Sequence, residues 1–135
     1  MKFQQLQIAF SAVALLAVAS LGCGKAEQAA KVSGRIHLDG SPISSGVILL
    51  QDDARGVGGT AVVSDGRFVF ESTLPPGHYV VALQPPPAPA PHETQTKAPR
   101  MNVPKHLLNP ATSGLSAEVE PGDNSLEFNV DSKSK

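Results

Sequence analysis

A seven-stranded β-sandwich is the fold class this sequence predicts, and three observations predict it. Beyond residue 31, apolar residues recur at every second position while no 3.6-residue period persists. Turn pairs punctuate the runs at Asp39-Gly40, Asp65-Gly66 and Pro121-Gly122. Four aromatic rings, Phe68, Phe70, Tyr79 and Phe128, all fall inside predicted strands, where burying them centres a core. Short alternating strands joined by turns are the pattern of two packed sheets.

In the first strand Val32, Ile36 and Leu38 share one face, and Ser33, Arg35, His37 and Asp39 share the other. Asp39-Gly40-Ser41-Pro42 then supplies turn chemistry. Gly46-Val47-Ile48-Leu49-Leu50 is a continuous apolar run, which suits a strand covered on both faces. Gly56-Val57-Gly58-Gly59 reads as a flexible hairpin connection ahead of the strand Thr60-Ala61-Val62-Val63. Asp65-Gly66 separates that strand from Arg67-Phe68-Val69-Phe70, the strongest short-range hairpin signal. After Pro75-Pro76-Gly77, the strand His78–Leu83 places Tyr79, Val81 and Leu83 on one side. Leu115, Ala117 and Val119 alternate with polar residues, Pro121-Gly122-Asp123-Asn124 turns, and Leu126, Phe128 and Val130 alternate again. Between the fifth and sixth strands, Pro85-Pro86-Pro87-Ala88-Pro89-Ala90-Pro91 cannot donate to a sheet ladder and favours extended polyproline II. It reads as an exposed connection or as a ligand for an aromatic groove on a partner.

Ahead of the strands, Lys2 precedes an apolar run from Ile8 to Leu21, followed by Gly22 and the single cysteine, Cys23. The run is shorter than the ~20 apolar residues a bilayer span needs. A basic residue before it and small residues after it mark a processed export signal. Ser20-Leu21-Gly22-Cys23 approximates a bacterial lipobox, with the leucine displaced by one position. Cys23 is therefore the expected lipidation site, holding the chain to a membrane through diacylglycerol. Ala17-Val18-Ala19 offers a competing site for an ordinary signal peptidase, and an uncleaved anchor is the third reading. The expected layout is a signal over 1–22, a lipidated flexible stalk over 23–30, the β-domain over 31–131 and a polar tail over 132–135. Processing leaves about 110 residues, enough for one domain that buries about two-thirds of its unfolded surface. The expected location is the bacterial cell envelope, facing the periplasm or the exterior.

With 11 Lys+Arg against 12 Asp+Glu and no basic run, the chain lacks the concentrated positive footprint of a nucleic-acid binder. His37, His78, His92 and His106 are dispersed, without the close pairing that zinc sites favour. Asp52-Asp53 lacks the spaced oxygens of a calcium loop and reads as a charged turn. Gly56-Val57-Gly58-Gly59-Thr60 lacks the lysine of a phosphate-binding loop, and Ser44 and Ser113 sit in no nucleophile elbow. No cofactor, metal or catalytic residue is expected.

Three stretches resemble the carboxypeptidase regulatory-like (transthyretin-like) domains of many planctomycete lipoproteins. They are Val32-Ser33-Gly34-Arg35-Ile36-His37-Leu38-Asp39-Gly40-Ser41-Pro42-Ile43, the pair Asp65-Gly66-Arg67-Phe68 and Pro76-Gly77-His78-Tyr79-Val80-Val81, and the closing Val103–Phe128 region, which contains Asn109-Pro110-Ala111-Thr112-Ser113-Gly114-Leu115. Val62-Val63 stands where that family usually has Thr-Asp, and Leu107 where it has Tyr. The resemblance implies a prealbumin-like (Ig-like) sandwich and a structural or protein-interaction role at the envelope, with envelope proteins as partners. A small-ligand or carbohydrate-binding module is the alternative. The same scaffold hosts a hydroxyisourate hydrolase whose first strand carries a histidine near a Leu-Asp pair, which His37-Leu38-Asp39 echoes. That enzyme's Tyr-Arg-Gly-Ser tail has no counterpart in Asp131-Ser132-Lys133-Ser134-Lys135, so the expectation is a non-enzymatic protein.

Overall fold

The computed structural model describes residues 28–87 and 101–133. Within them the chain is all-β and mostly antiparallel. Its strands are β1 (Ala30–Leu38), β2 (Ser41–Pro42), β3 (Ser45–Asp52), β4 (Val57–Ser64), β5 (Arg67–Val69), β6 (Gly77–Gln84), β7 (Leu115–Val119) and β8 (Gly122–Val130). A 3-10 turn (Lys105–Leu108) and a one-turn helix α1 (Pro110–Ser113) precede β7. All seven expected strands are present. The two-residue β2 is an addition, formed where His37 and Leu38 pair with Pro42 and Ser41. The expected signal over 1–22, Cys23 and the Ala88–Pro91 part of the proline run lie outside the described residues.

The strands form one continuous order, β2-β1-β5-β4-β3-β6-β7, with β8 added in parallel to β1. Their inward faces meet in a single apolar cluster, so the sheet curls over on itself. The four aromatic rings lie in that cluster, with Tyr79 and Phe68 among the most deeply enclosed side chains. Phe68 touches the other two phenylalanines of the described residues, edge-on to Phe70 at 6.1 Å and stacked on Phe128 at 6.2 Å between centroids.

Local chemistry explains the turns. Asp39 and Gly40 take φ of 50° and 80°, and Asp65 and Gly66 take 49° and 73°. Two successive left-handed residues make the two-residue turn whose twist matches that of paired strands. Asn109 caps α1 by accepting the Ala111 amide at 2.9 Å, Pro110 fills the first helical position, and Gly114 ends the turn at φ 66°. The buried Ser113 hydroxyl donates to the Val81 carbonyl at 2.5 Å, fastening α1 to β6. This gives Thr112-Ser113-Gly114-Leu115 a structural reason for its form.

Two expectations are corrected. The glycine-rich Val57-Gly58-Gly59 is the start of β4 rather than a flexible connection, with Gly58 opposite Gln51 and Gly59 opposite Leu50. A side chain at Gly59 would press on Phe70 and Leu74, so the glycine lets β4 lie close to the core. Second, β3 is not covered on both faces to the same depth. Ile48 and Leu50 are fully buried, whereas Val47 and Leu49 are half-buried on the outer face.

The last connection is the least local. β7 and β8 are separated only by Glu120 and Pro121, yet β7 pairs with β6 and β8 crosses to β1. Asn124 pins this crossing with its side chain: Oδ1 accepts the Glu120 backbone amide at 2.8 Å and Nδ2 donates to the Glu120 backbone carbonyl at 2.7 Å. At the other end of the chain, β1 begins at Ala30, the last residue of the expected stalk. Ala30 is fully buried and exchanges two backbone hydrogen bonds with Leu74.

Candidate functional site

A wide concavity lies at the seam between β4 and β5. These strands pair only at Val63 with Phe68 and Ser64 with Arg67. Beyond that hairpin β5 swings to β1, where Ser33, Gly34 and Arg35 face Val69, Phe68 and Arg67, and the Phe70 amide donates to Val32. The divergence leaves the β4 edge from Gly58 to Val62 without a strand partner among the described residues. A groove of about 830 Å³ opens there, floored by Phe68, Phe70 and Leu74. Val62 and Val69 stand on its rim, 64% and 66% exposed. Among the described residues the groove offers apolar contact and a strand edge without a strand partner, the chemistry of an accepting surface. The glycines are read easily from sequence, but Val62 and Val69 look like ordinary strand residues until the divergence of the two strands is known.

The titratable candidates are scattered around this frame. His78 on β6 faces Glu118 on β7 at 3.2 Å, an exposed cross-strand pair. His37 is half-buried on β1 opposite Pro42 and Asn129, and its Nδ1 has no hydrogen-bond partner among the described residues. His106 lies in the 3-10 turn, and its carbonyl accepts the Thr112 hydroxyl at 2.8 Å. His92 falls outside the described residues. Among the described residues no group of three His, Cys, Asp or Glu converges.

Asp52 and Asp53 belong to a charged turn. The Arg55 guanidinium reaches Asp52 at 2.5 Å, donates to the Pro76 carbonyl at 2.8 Å, and lies 5.6 Å from the centre of the Tyr79 ring. Arg55 holds the Asp52 carboxyl below its ordinary value of 3.8, chiefly through that side-chain hydrogen bond. Asp53 accepts from the Gln51 amide. Tyr79 completes the cluster by donating its hydroxyl to the Pro75 carbonyl at 2.6 Å. The arrangement ties the β3–β4 turn to the start of β6, which is a structural task.

Cys23 lies outside the described residues, and among those that are described no helix is long and apolar enough to cross a membrane. No family model matches the chain, and neither the curated proteins nor the solved structures contain a match to it.

Proposed function

We propose that this chain is a non-enzymatic envelope lipoprotein, tethered to a membrane through lipidated Cys23, whose β-domain serves a structural or protein-interaction role. The observation that carries the reading is the run Ile8–Leu21 ending in Ser20-Leu21-Gly22-Cys23. One acyl chain binds a bilayer only marginally, but each buried methylene contributes ~0.8 kcal/mol, so the two or three chains of a bacterial lipoprotein hold firmly. The finer fold proposed is a prealbumin-like sandwich of the carboxypeptidase regulatory-like kind. In its support, the strand order divides naturally into a β8-β1-β5 layer and a β4-β3-β6-β7 layer. Fold alone does not give an activity, and the interaction role is supported by the seam groove with its exposed Val62 and Val69. Val62 stands where the resembled family carries a polar residue, so any contact made there is particular to this chain.

A second reading, a module for a small ligand or glycan, draws on the same groove, whose volume lies within the range of ligand pockets. One experiment addresses both. The parent chain and Cys23→Ala are produced in a bacterial host, fractionated, and crosslinked in intact cells. The proposal expects the parent in the membrane fraction, Cys23→Ala in the soluble fraction, and envelope proteins crosslinked to the parent. Membrane retention of Cys23→Ala overturns the tether. A parent without crosslinked neighbours that is stabilised by a glycan or metabolite favours the second reading.

A further inference from the structure

On the outer face of the β8-β1-β5 layer, Arg35 of β1 and Arg67 of β5 are direct cross-strand partners. Both are exposed. Side chains opposite each other in an antiparallel pair have Cβ atoms about 4.5–5.5 Å apart, and like charges in that relation are destabilising. Nothing nearby relieves this pair: among the described residues neither arginine has a carboxylate within ion-pair distance. Glu127 is in register with Arg35 on the β8 side, but its carboxylate accepts from the Asn129 amide at 3.5 Å instead. Two serines complete the surroundings. Ser33 precedes Arg35 on the same face, and Ser125 is its neighbour in register on β8. The Ser33 hydroxyl makes one long bond, to the Asn124 carbonyl at 3.4 Å. Arg35, Arg67, Ser33 and Ser125 line one depression of about 200 Å³.

We propose that this depression is an oxyanion site that takes a phosphate group. Guanidinium groups present planar forks that match phosphate oxygens, and a doubly contacted anion removes the repulsion between the two cations. The serine hydroxyls donate to the remaining oxygens. The phosphate has two possible sources with the same chemistry: a free phosphate or phosphomonoester, or the headgroup of an anionic phospholipid. The site itself does not rest on the lipid anchor; only the headgroup source does.

The test uses the full chain as purified from the producing cells, alongside Arg35→Gln, Arg67→Gln and the charge-matched control Lys105→Gln. Lys105 begins the 3-10 turn that packs against β6 in the other layer. The first arm titrates inorganic phosphate by calorimetry at constant ionic strength. The second compares flotation with phosphatidylglycerol and phosphatidylcholine vesicles, in which insertion of an acyl anchor is common to both and cancels. The expected result is saturable binding in at least one arm, weakened about tenfold or more in each arginine variant and unchanged in Lys105→Gln. Binding of inorganic phosphate identifies the free-phosphate source. A preference for phosphatidylglycerol without phosphate binding identifies the headgroup. Equal behaviour of the parent and both arginine variants, or no binding in either arm, overturns the site.

Discussion

Gly34 is the position where the packing of this domain is most sharply testable. It lies in the middle of β1, between β5 on one side and β8 on the other. A Cβ built there would stand 2.6 Å from the Phe68 ring and closer still to the Leu126 carbonyl oxygen. The ring is wedged between Phe70 and Phe128, and the carbonyl belongs to the parallel ladder, so neither can yield without moving a strand. Overpacking of this kind costs about 1–3 kcal/mol. Alanine also restricts the unfolded chain, which returns about 0.4–1 kcal/mol because Gly34 does not use a left-handed φ. Taken at the middle of each range, the expected net loss for Gly34→Ala is about 1–2 kcal/mol, a large share of the roughly 5–15 kcal/mol that holds a domain of this size. For a domain of about 100 residues the melting temperature should fall by roughly 5–15 °C. Gly46→Ala is the matched control. There the new methyl meets chiefly the sulfur of Met101, near the adjustable end of a flexible side chain, with the Gln84 carbonyl oxygen at 3.3 Å, so the cost should be smaller, about 1 kcal/mol or less. Thermal and urea unfolding of the three proteins measure the difference. A Gly34→Ala variant that melts with or above the parent would refute the close approach of β8 and Phe68 to β1.

Two further outcomes follow from the same frame. Phe68→Ala and Phe70→Ala should each cost about 3–5 kcal/mol, with Phe68 the larger because it alone contacts both other phenylalanines; urea midpoints that place Phe70 first, or show no loss, contradict that centre. At the β1–β2 turn the Asp39 carboxylate accepts the Ser132 amide at 2.8 Å, and the Ser132 hydrogen bonds, backbone first, hold its pKa below 3.8. The unfolded chain therefore binds the proton more readily. The contribution of Asp39 is complete above about pH 3.8 and is lost as the pH falls through the lower folded value. In urea melts from about pH 6 to about pH 2, Asp39→Asn should flatten the acid-side loss of stability; a profile identical to the parent's counts against the bond.

What was legible in the sequence was what short range determines. Alternation located the strands because a half-buried strand repeats its environment every second residue, and the two Asp-Gly pairs formed the expected turns because few residues tolerate positive φ. The helix α1 left no periodic trace, since four residues are too few to show a helical period. Its Asn109-Pro110 start and Gly114 end are nonetheless the capping residues such a turn requires. Gly56-Val57-Gly58-Gly59 reads as a connection in the sequence because glycine is usually poor in strands. Here the missing side chains are what allow β4 to approach Phe70 and Leu74. The parallel pairing of β8 with β1 was not legible, because it is set by packing between the two ends of the domain. The seam groove depends on the strand divergence. The Arg35–Arg67 pair depends on the β1–β5 register. The chain has no basic run, yet the fold sets two arginines from separate strands side by side.

Edge chemistry ranks the surfaces through which this sheet can meet another chain. An exposed strand edge presents unpaired backbone groups, and charged side chains along it discourage strand addition. The outer edges carry such charges: Glu118 on β7, and Asp123 and Glu127 on β8, all exposed. The β4 edge at the seam differs. From Gly58 to Val62 it carries two glycines, a threonine, an alanine and a valine, with no charge among them. A strand that approaches there meets little side-chain bulk at Gly58 and Gly59 and finds Val62 and Val69 to cover. The interaction reading is therefore better served by the seam than by either outer edge, and the proposed anion contact is confined to the Arg35–Arg67 register of β1 and β5. The two surfaces meet along β5, where Arg67, Phe68 and Val69 line the seam groove and the arginine depression alike, so a polypeptide at the seam and an anion at Arg35 and Arg67 would be neighbours on one curled sheet.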